Sequence, residues 1–253
     1  MIFRVTRLIP ALLTALLLTA AAPAGAQEEQ PFTPKQQEAL KKLVHDYLLE
    51  NPSVIAEAIE ALRQKEDLAA DLAAKKTLSE RKDEIFSDPD SPAIGNPKGD
   101  VTLVEFFDYR CPYCKAMAET LFEAVKSDGK LKLVLKEFPV LGPDSVTAAR
   151  AALAAREQKK YEEFHKAMMR LKEPISEKLI MKVAGEVGLN VERLKKDMDD
   201  QKIDQMLKNN IKLAHDLDVS GTPAFVIGDQ IVPGAISAQN LKQLIDQARK
   251  GKS

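Results

Sequence analysis

Val101-Thr102-Leu103-Val104-Glu105-Phe106-Phe107-Asp108-Tyr109-Arg110-Cys111-Pro112-Tyr113-Cys114 is the stretch from which the fold of this chain is read. Val101 to Phe107 is a continuous apolar run with one acid, Glu105, as expected of a strand buried on both faces. Pro112 suits the first turn of a helix, and Lys115 to Lys126 continues it with Met117, Leu121, Phe122 and Val125 on one face. Both cysteines of the protein lie at this strand-to-helix junction, two residues apart. A Cys-x-x-Cys pair there reads as a redox dithiol, because the helix N-terminus stabilises the first thiolate. Asp128-Gly129 turns the chain and Leu131 to Phe138 forms a second strand, so strand, helix and strand make a βαβ unit with two parallel strands.

Towards the C-terminus, a helical region runs from Pro143 to about Leu217. Its breaks fall near Gln158, Glu173-Pro174, Gly188-Leu189-Asn190 and Asp200. Ala224 to Ile227 is a short strand, Gly228-Asp229 a tight hairpin turn, and Gln230 to Val232 its returning strand. Ser237 caps a last helix with Leu241, Leu244, Ile245 and Ala248 on one face. The order specifies an α/β thioredoxin-like fold with a helical insertion at about 141–218, preceded by an α-helical N-terminal extension.

The first 26 residues read as a secretory signal peptide: Arg4 and Arg7, then apolar Leu8 to Ala20, then Ala24-Gly25-Ala26 before Gln27. The apolar run is short for a membrane span. Thr33 to Gln36 forms a capping box, with Pro34 at N1, and Leu40, Leu43, Val44, Tyr47 and Leu48 follow on one helical face. Asn51 is expected to cap a second helix carrying Val54, Ile55, Ala58, Ile59 and Leu62. From Gln64 to Glu84 the pattern thins to alanine and charge, with Leu68, Leu72 and Leu78. A continuous helix from Pro52 to Phe86 would be about 50 Å long, with a stripe too narrow to bury against a large core. Two readings stand for this extension: a helical cap on the catalytic domain, or an oligomerisation arm. Turn formers crowd 87–100, which places the expected domain boundary at about residue 92.

Composition narrows the function. The net charge of −1, the absence of Trp and the 5% aromatic content argue against nucleic-acid binding. A bridge closed over two intervening residues restrains little chain entropy, so the cysteine pair is better explained by chemistry than by stability. Zinc needs more ligands than one cysteine pair, and His45, His165 and His215 are scattered, each read as an ordinary surface or helix residue. No metal and no cofactor is expected.

The motif Glu105 to Cys114, with Lys136-Glu137-Phe138-Pro139, Gly221-Thr222-Pro223 and Val232-Pro233-Gly234, resembles the DsbA-like family of exported thiol-disulfide oxidoreductases over residues 101–250. The segment around Tyr47-Leu48-Leu49-Glu50-Asn51-Pro52 is similar to the extension of suppressor-of-copper-sensitivity C-type proteins. In that subgroup the extension can mediate trimerisation, and trimeric members act as disulfide isomerases. The resemblance implies a periplasmic protein whose partners are unfolded or misoxidised exported proteins, a membrane-bound redox protein and copies of itself. It also implies that Thr222-Pro223 is a cis-proline loop facing the dithiol, where substrate backbone pairs, and that an acid stands at Glu105.

On these readings Cys111 is the nucleophile and Cys114 resolves the mixed disulfide, the two forming the redox-active disulfide. Pro112 and Tyr113 tune the couple and border the substrate. Tyr113 contributes no cation, so a less oxidising couple is expected than in strong oxidases; Arg110 would partly offset this. Glu105 is read first as the relay for the proton that Cys114 loses; an ion pair with Lys136 on the adjacent strand is the competing reading, and the two are compatible. Three functions follow: disulfide isomerase or reductase, monomeric dithiol oxidase, or a copper-binding protein using the two soft thiolates.

Overall fold

The computed structural model describes residues 32–251. The expected signal peptide lies outside the described residues. Two compact units divide between Ile59 and Glu60.

In the first unit, Thr33 caps helix α1 (Pro34–Glu50) through a reciprocal capping box with Gln36, and Pro34 begins the helix. No residue of α1 is buried. Asn51 closes this helix and is not the cap expected for the next: its backbone and side-chain N–H groups both donate to the Tyr47 carbonyl, at 2.8 and 3.0 Å. Helix α2 (Ser53–Glu80) follows.

The long helix expected to reach Phe86 stops at Glu80, and α3 (Lys82–Phe86) begins after Arg81. Arg81 engages Glu84 and Asp216 together. The expectation of a stripe too narrow to bury also fails here, since Ala74, Leu78 and Ile85 are buried. The turn-rich stretch expected at the boundary therefore follows chain already packed into the second unit.

The second unit is built on a sheet ordered β1-β3-β2-β4-β5. Strand β2 (Val101–Phe107) and β3 (Leu131–Glu137) are parallel, joined by α4 (Pro112–Asp128), as the βαβ reading requires. Strand β1 (Ala93–Gly95), not expected, pairs antiparallel with β3 from within the turn-rich segment. Three residues carry no periodicity from which a strand is read. Strands β4 (Ala224–Ile227) and β5 (Gln230–Pro233) form the hairpin, and β4 pairs antiparallel with β2.

Parity along β2 and β3 sorts the core. Val101, Leu103, Phe107, Leu131, Leu133 and Leu135 join a large cluster with α4 and the helical insertion. Val104, Phe106, Val134 and Phe138 point the other way, onto Leu78, Ile85 and Leu213. Both faces are covered, which explains the continuous apolar run. The insertion comprises α5 (Pro143–Ala155), a 3-10 turn (Arg156–Gln158), α6 (Tyr161–Arg170), α7 (Glu177–Glu186), α8 (Val191–Asp197) and α9 (Gln201–Asp216), and Ser237 caps the final helix α10 (Ala238–Lys250).

Candidate active site

Cys111 is the N-cap of α4, and its sulfur accepts the backbone N–H of Cys114 at 3.4 Å. Pro112 occupies the first helical turn, where its missing N–H leaves no bond unmade. The α4 spacing of Cys114, Met117, Ala118, Leu121, Phe122 and Val125 buries one face, so Cys114 faces inward while Tyr113 stands 65% exposed. The two thiols are unbridged, and both are buried. The Cys111 thiol donates to the Thr222 carbonyl at 3.1 Å across 111 residues of chain, and the Thr222–Pro223 bond is cis. Behind that loop, Asp71 and Ala74 of α2 help line a pocket of about 330 Å³. Their place in it was not read from the sequence, because helical spacing alone does not say what a sparse stripe faces.

Burial and, next, the charge of Glu105 push the Cys114 thiol well up. Glu105 is 2% exposed, its Oε1 has no hydrogen-bond partner, and burial raises its carboxyl to about 8. The ion pair with Lys136 is not formed. In the parallel register Glu105 lies opposite Leu135 and Lys136 opposite Phe106, so the two side chains leave opposite faces of the sheet. Lys136 instead meets the Asp88 carboxylate at 2.9 Å and donates to the Glu84 carbonyl at 2.8 Å. Arg110 donates its guanidinium to the Leu141 carbonyl.

Several buried polar groups around the dithiol were not expected. Asp108 accepts from Arg110 N and Ser145 Oγ on one oxygen, and from Val140 N and Leu141 N on the other. Glu137 accepts the hydroxyls of Tyr161 at 2.8 Å and Tyr109 at 3.2 Å; burial nonetheless holds its carboxyl well above the usual range. His165, read as an ordinary surface or helix residue, is on α6 but 1% exposed. Its Nδ1 lies 3.0 Å from the Tyr109 hydroxyl, its ring stacks on Tyr161, and burial lowers it to about 3. Lys136-Glu137-Phe138-Pro139 was a sequence signal for Glu137, though nothing in it named the two tyrosines. Among the described residues no three His, Cys, Asp or Glu side chains gather as a metal site would require.

A cysteine capping a helix N-terminus, a buried second thiol and a cis-proline loop against the first sulfur define a thioredoxin-fold dithiol protein. The DSBA-like thioredoxin domain model matches residues 102–246, and the chain belongs to that family of thiol-disulfide oxidoreductases. The Copper resistance protein ScsC N-terminal domain model matches residues 36–67.

A thioredoxin-like oxidoreductase from Silicibacter pomeroyi DSS-3 is 45% identical, covering 66% of this chain and 97% of that one with a TM-score of 0.65. A linker-deleted mutant of ScsC from Proteus mirabilis is 27% identical, covering 89% of this chain and all (100%) of that one, with a TM-score of 0.66. The probable disulfide bond formation protein D of Bacillus anthracis is 28% identical over 190 residues, 68% of this chain and 86% of its own.

Proposed function

We propose that this protein is an exported disulfide isomerase or reductase, which assembles through its N-terminal helices and acts on misoxidised polypeptides. The reading divides the chain into a signal peptide (1–26), a helical segment for assembly with its linker (27–92) and a catalytic domain (93–253). The observation that carries the assembly is α1: Leu40, Leu43, Val44 and Tyr47 are all exposed, and the helix buries nothing of its own. A 17-residue helix with an uncovered apolar face is marginal alone in water, and pairing with copies of itself covers that face. Three copies, as the resemblance implies, would surround a substrate with dithiols. A Salmonella enterica relative of known structure is described as a periplasmic thioredoxin-like protein, which supports the same compartment here. No helix among the described residues is long and apolar enough to cross a membrane.

Cys111, as the thiolate, attacks one sulfur of a substrate disulfide; a Cys111–substrate bond forms while the other substrate sulfur leaves with the electron pair. In isomerisation that thiolate attacks another disulfide of the substrate, and the substrate thiolate so released attacks the substrate sulfur bonded to Cys111, forming a new substrate disulfide while Cys111 leaves with the electron pair. In reduction Cys114 gives its proton to ionised Glu105 and attacks the Cys111 sulfur, so that the substrate sulfur leaves as a thiolate and the Cys111–Cys114 disulfide remains for an exported dithiol donor to reduce. The Thr222 backbone supports the substrate, and Pro223, Pro112 and Tyr113 shape its path.

Light scattering on the mature protein tests the reading, with a trimer expected. Removing residues 27–59 should leave a monomer that reacts with small disulfides but no longer rearranges a scrambled multi-disulfide protein. Deleting as far as residue 90 would also remove buried Leu78 and Ile85 and the Asp88 partner of Lys136, so it is the poorer experiment. A full-length monomer with undiminished isomerisation would sink the assembly reading.

A further inference from the structure

C-terminal to α2, the large apolar side chains exposed among the described residues are Tyr113, Val140 and Leu141, at 65%, 43% and 42%. Tyr113 lies between the cysteines. Val140 and Leu141 are fastened to the turn leading into Cys111, since both of their N–H groups donate to Asp108 Oδ2, at 2.9 and 3.0 Å. Asp108 Oδ1 takes the Arg110 N–H and the Ser145 hydroxyl, both at 2.7 Å. The Leu141 carbonyl accepts from the Arg110 guanidinium, closing the loop from its other side. Gly142, at φ +109°, lets the chain leave beside that guanidinium; a Cβ there would lie 3.0 Å from Arg110 Nη1.

Four donors converge on one carboxylate that is 1% exposed, and only an acceptor on both oxygens satisfies them. A buried acid so completely engaged fixes the backbone of a loop whose two apolar side chains remain in water. Binding residues are commonly carried on loops held in place by a rigid scaffold, and Val140 and Leu141 are presented in that way beside Arg110 and Cys111.

We propose that Asp108 is a positioning residue for exchange with polypeptides: it pins residues 140–142 so that Val140 and Leu141, with Tyr113, contact apolar residues flanking the cysteine of an extended protein substrate. This rests on the thiol-disulfide exchange assigned to Cys111. The occupant is an extended chain because the covalent step brings its cysteine to Cys111. Neighbouring residues, advancing about 3.3 Å each, then reach the loop fastened to residues 108 and 110. In that step the new Cys111–substrate bond forms as the substrate disulfide breaks, and the electron pair leaves on the second substrate sulfur.

The test compares two disulfides on the full-length mature protein: a disulfide-linked unfolded peptide with Leu beside its cysteine, and glutathione disulfide. Asp108→Asn keeps the shape but turns an NH2 group towards N–H or O–H donors, so the loop loses part of its fastening. The peptide-to-glutathione ratio of kcat/KM should fall about tenfold, carried by KM for the peptide. Val140→Ser with Leu141→Ser changes only exposed side chains and should lower the same ratio; it decides the matter if Asp108→Asn does not fold. An unchanged ratio in the double serine variant, or an equal loss with both disulfides in a folded Asp108→Asn protein, overturns the proposal. Failure of the wild-type protein to react with either disulfide overturns the exchange reading itself, and the proposal with it.

Discussion

Glu105 in β2 and Glu137 in β3 are both buried acids directed to the face of the sheet that carries α4, yet their surroundings differ. Glu137 receives two phenol hydroxyls and its backbone carbonyl takes the Asn210 amide at 3.2 Å. Glu105 has an oxygen with no partner at all. A buried acid with donors ties elements together, here the β2 turn, β3 and α6. A buried acid without them costs stability, and the proton relay to Cys114 proposed above would account for that cost.

The largest expected effect comes from titrating Glu105. Its folded value of about 8 exceeds the ordinary value of 4.5, so between these pH values the folded protein holds a proton that the unfolded chain releases. Stability therefore falls as pH rises from about 4.5 to 8 and levels above it, by up to several kcal/mol. Glu105→Gln should remove its share of that slope in denaturant titrations across this window. The same variant should slow resolution of a Cys111 mixed disulfide by Cys114 about 100-fold. In the wild type that step should accelerate up to about pH 8, as Glu105 ionises, and the variant should lose this inflection. Rapid-quench trapping of the mixed disulfide measures both; an unaltered profile would remove Glu105 from the mechanism.

Glu137→Gln sharpens the contrast. An amide retains one acceptor for the tyrosines but cannot satisfy them as the acid does, so unfolding free energy should drop by about 1–3 kcal/mol. The resolving step should keep its inflection near pH 8. A shifted inflection in this variant, with none lost in Glu105→Gln, would reverse the roles of the two acids.

The sequence made one side of this contrast readable. The apolar run with a single acid six residues before Cys111 marked Glu105, and the Cys-x-x-Cys junction marked the fold, because both are local patterns with a physical cause. Apart from Arg110 beside Asp108, the groups hydrogen-bonded to the side chains of Asp108, Glu137 and His165 come from segments 24 to 56 residues away, and pairing across such distances leaves no periodicity to read. Thr222 opposite Cys111 was legible only through resemblance. Strand β1 and the break at Arg81 escaped because tertiary partners, β3 and Asp216, decide them.

The smallest effect tests the strand parity that separates Glu105 from Lys136. Lys136 is 1% exposed, and burial works to lower its ammonium pKa despite the Asp88 carboxylate. Lys136→Met fills similar space with apolar atoms and leaves Asp88, whose side chain is 25% exposed, to water. Exchanging a buried charge for packing while its partner regains solvent should change stability by only about 1 kcal/mol. Since Lys136 serves the face away from Cys114, the exchange inflection near pH 8 should not move. Were Lys136 the partner of Glu105, its removal would push that carboxyl higher and carry the inflection upward, so one pH profile of Lys136→Met decides between the two geometries.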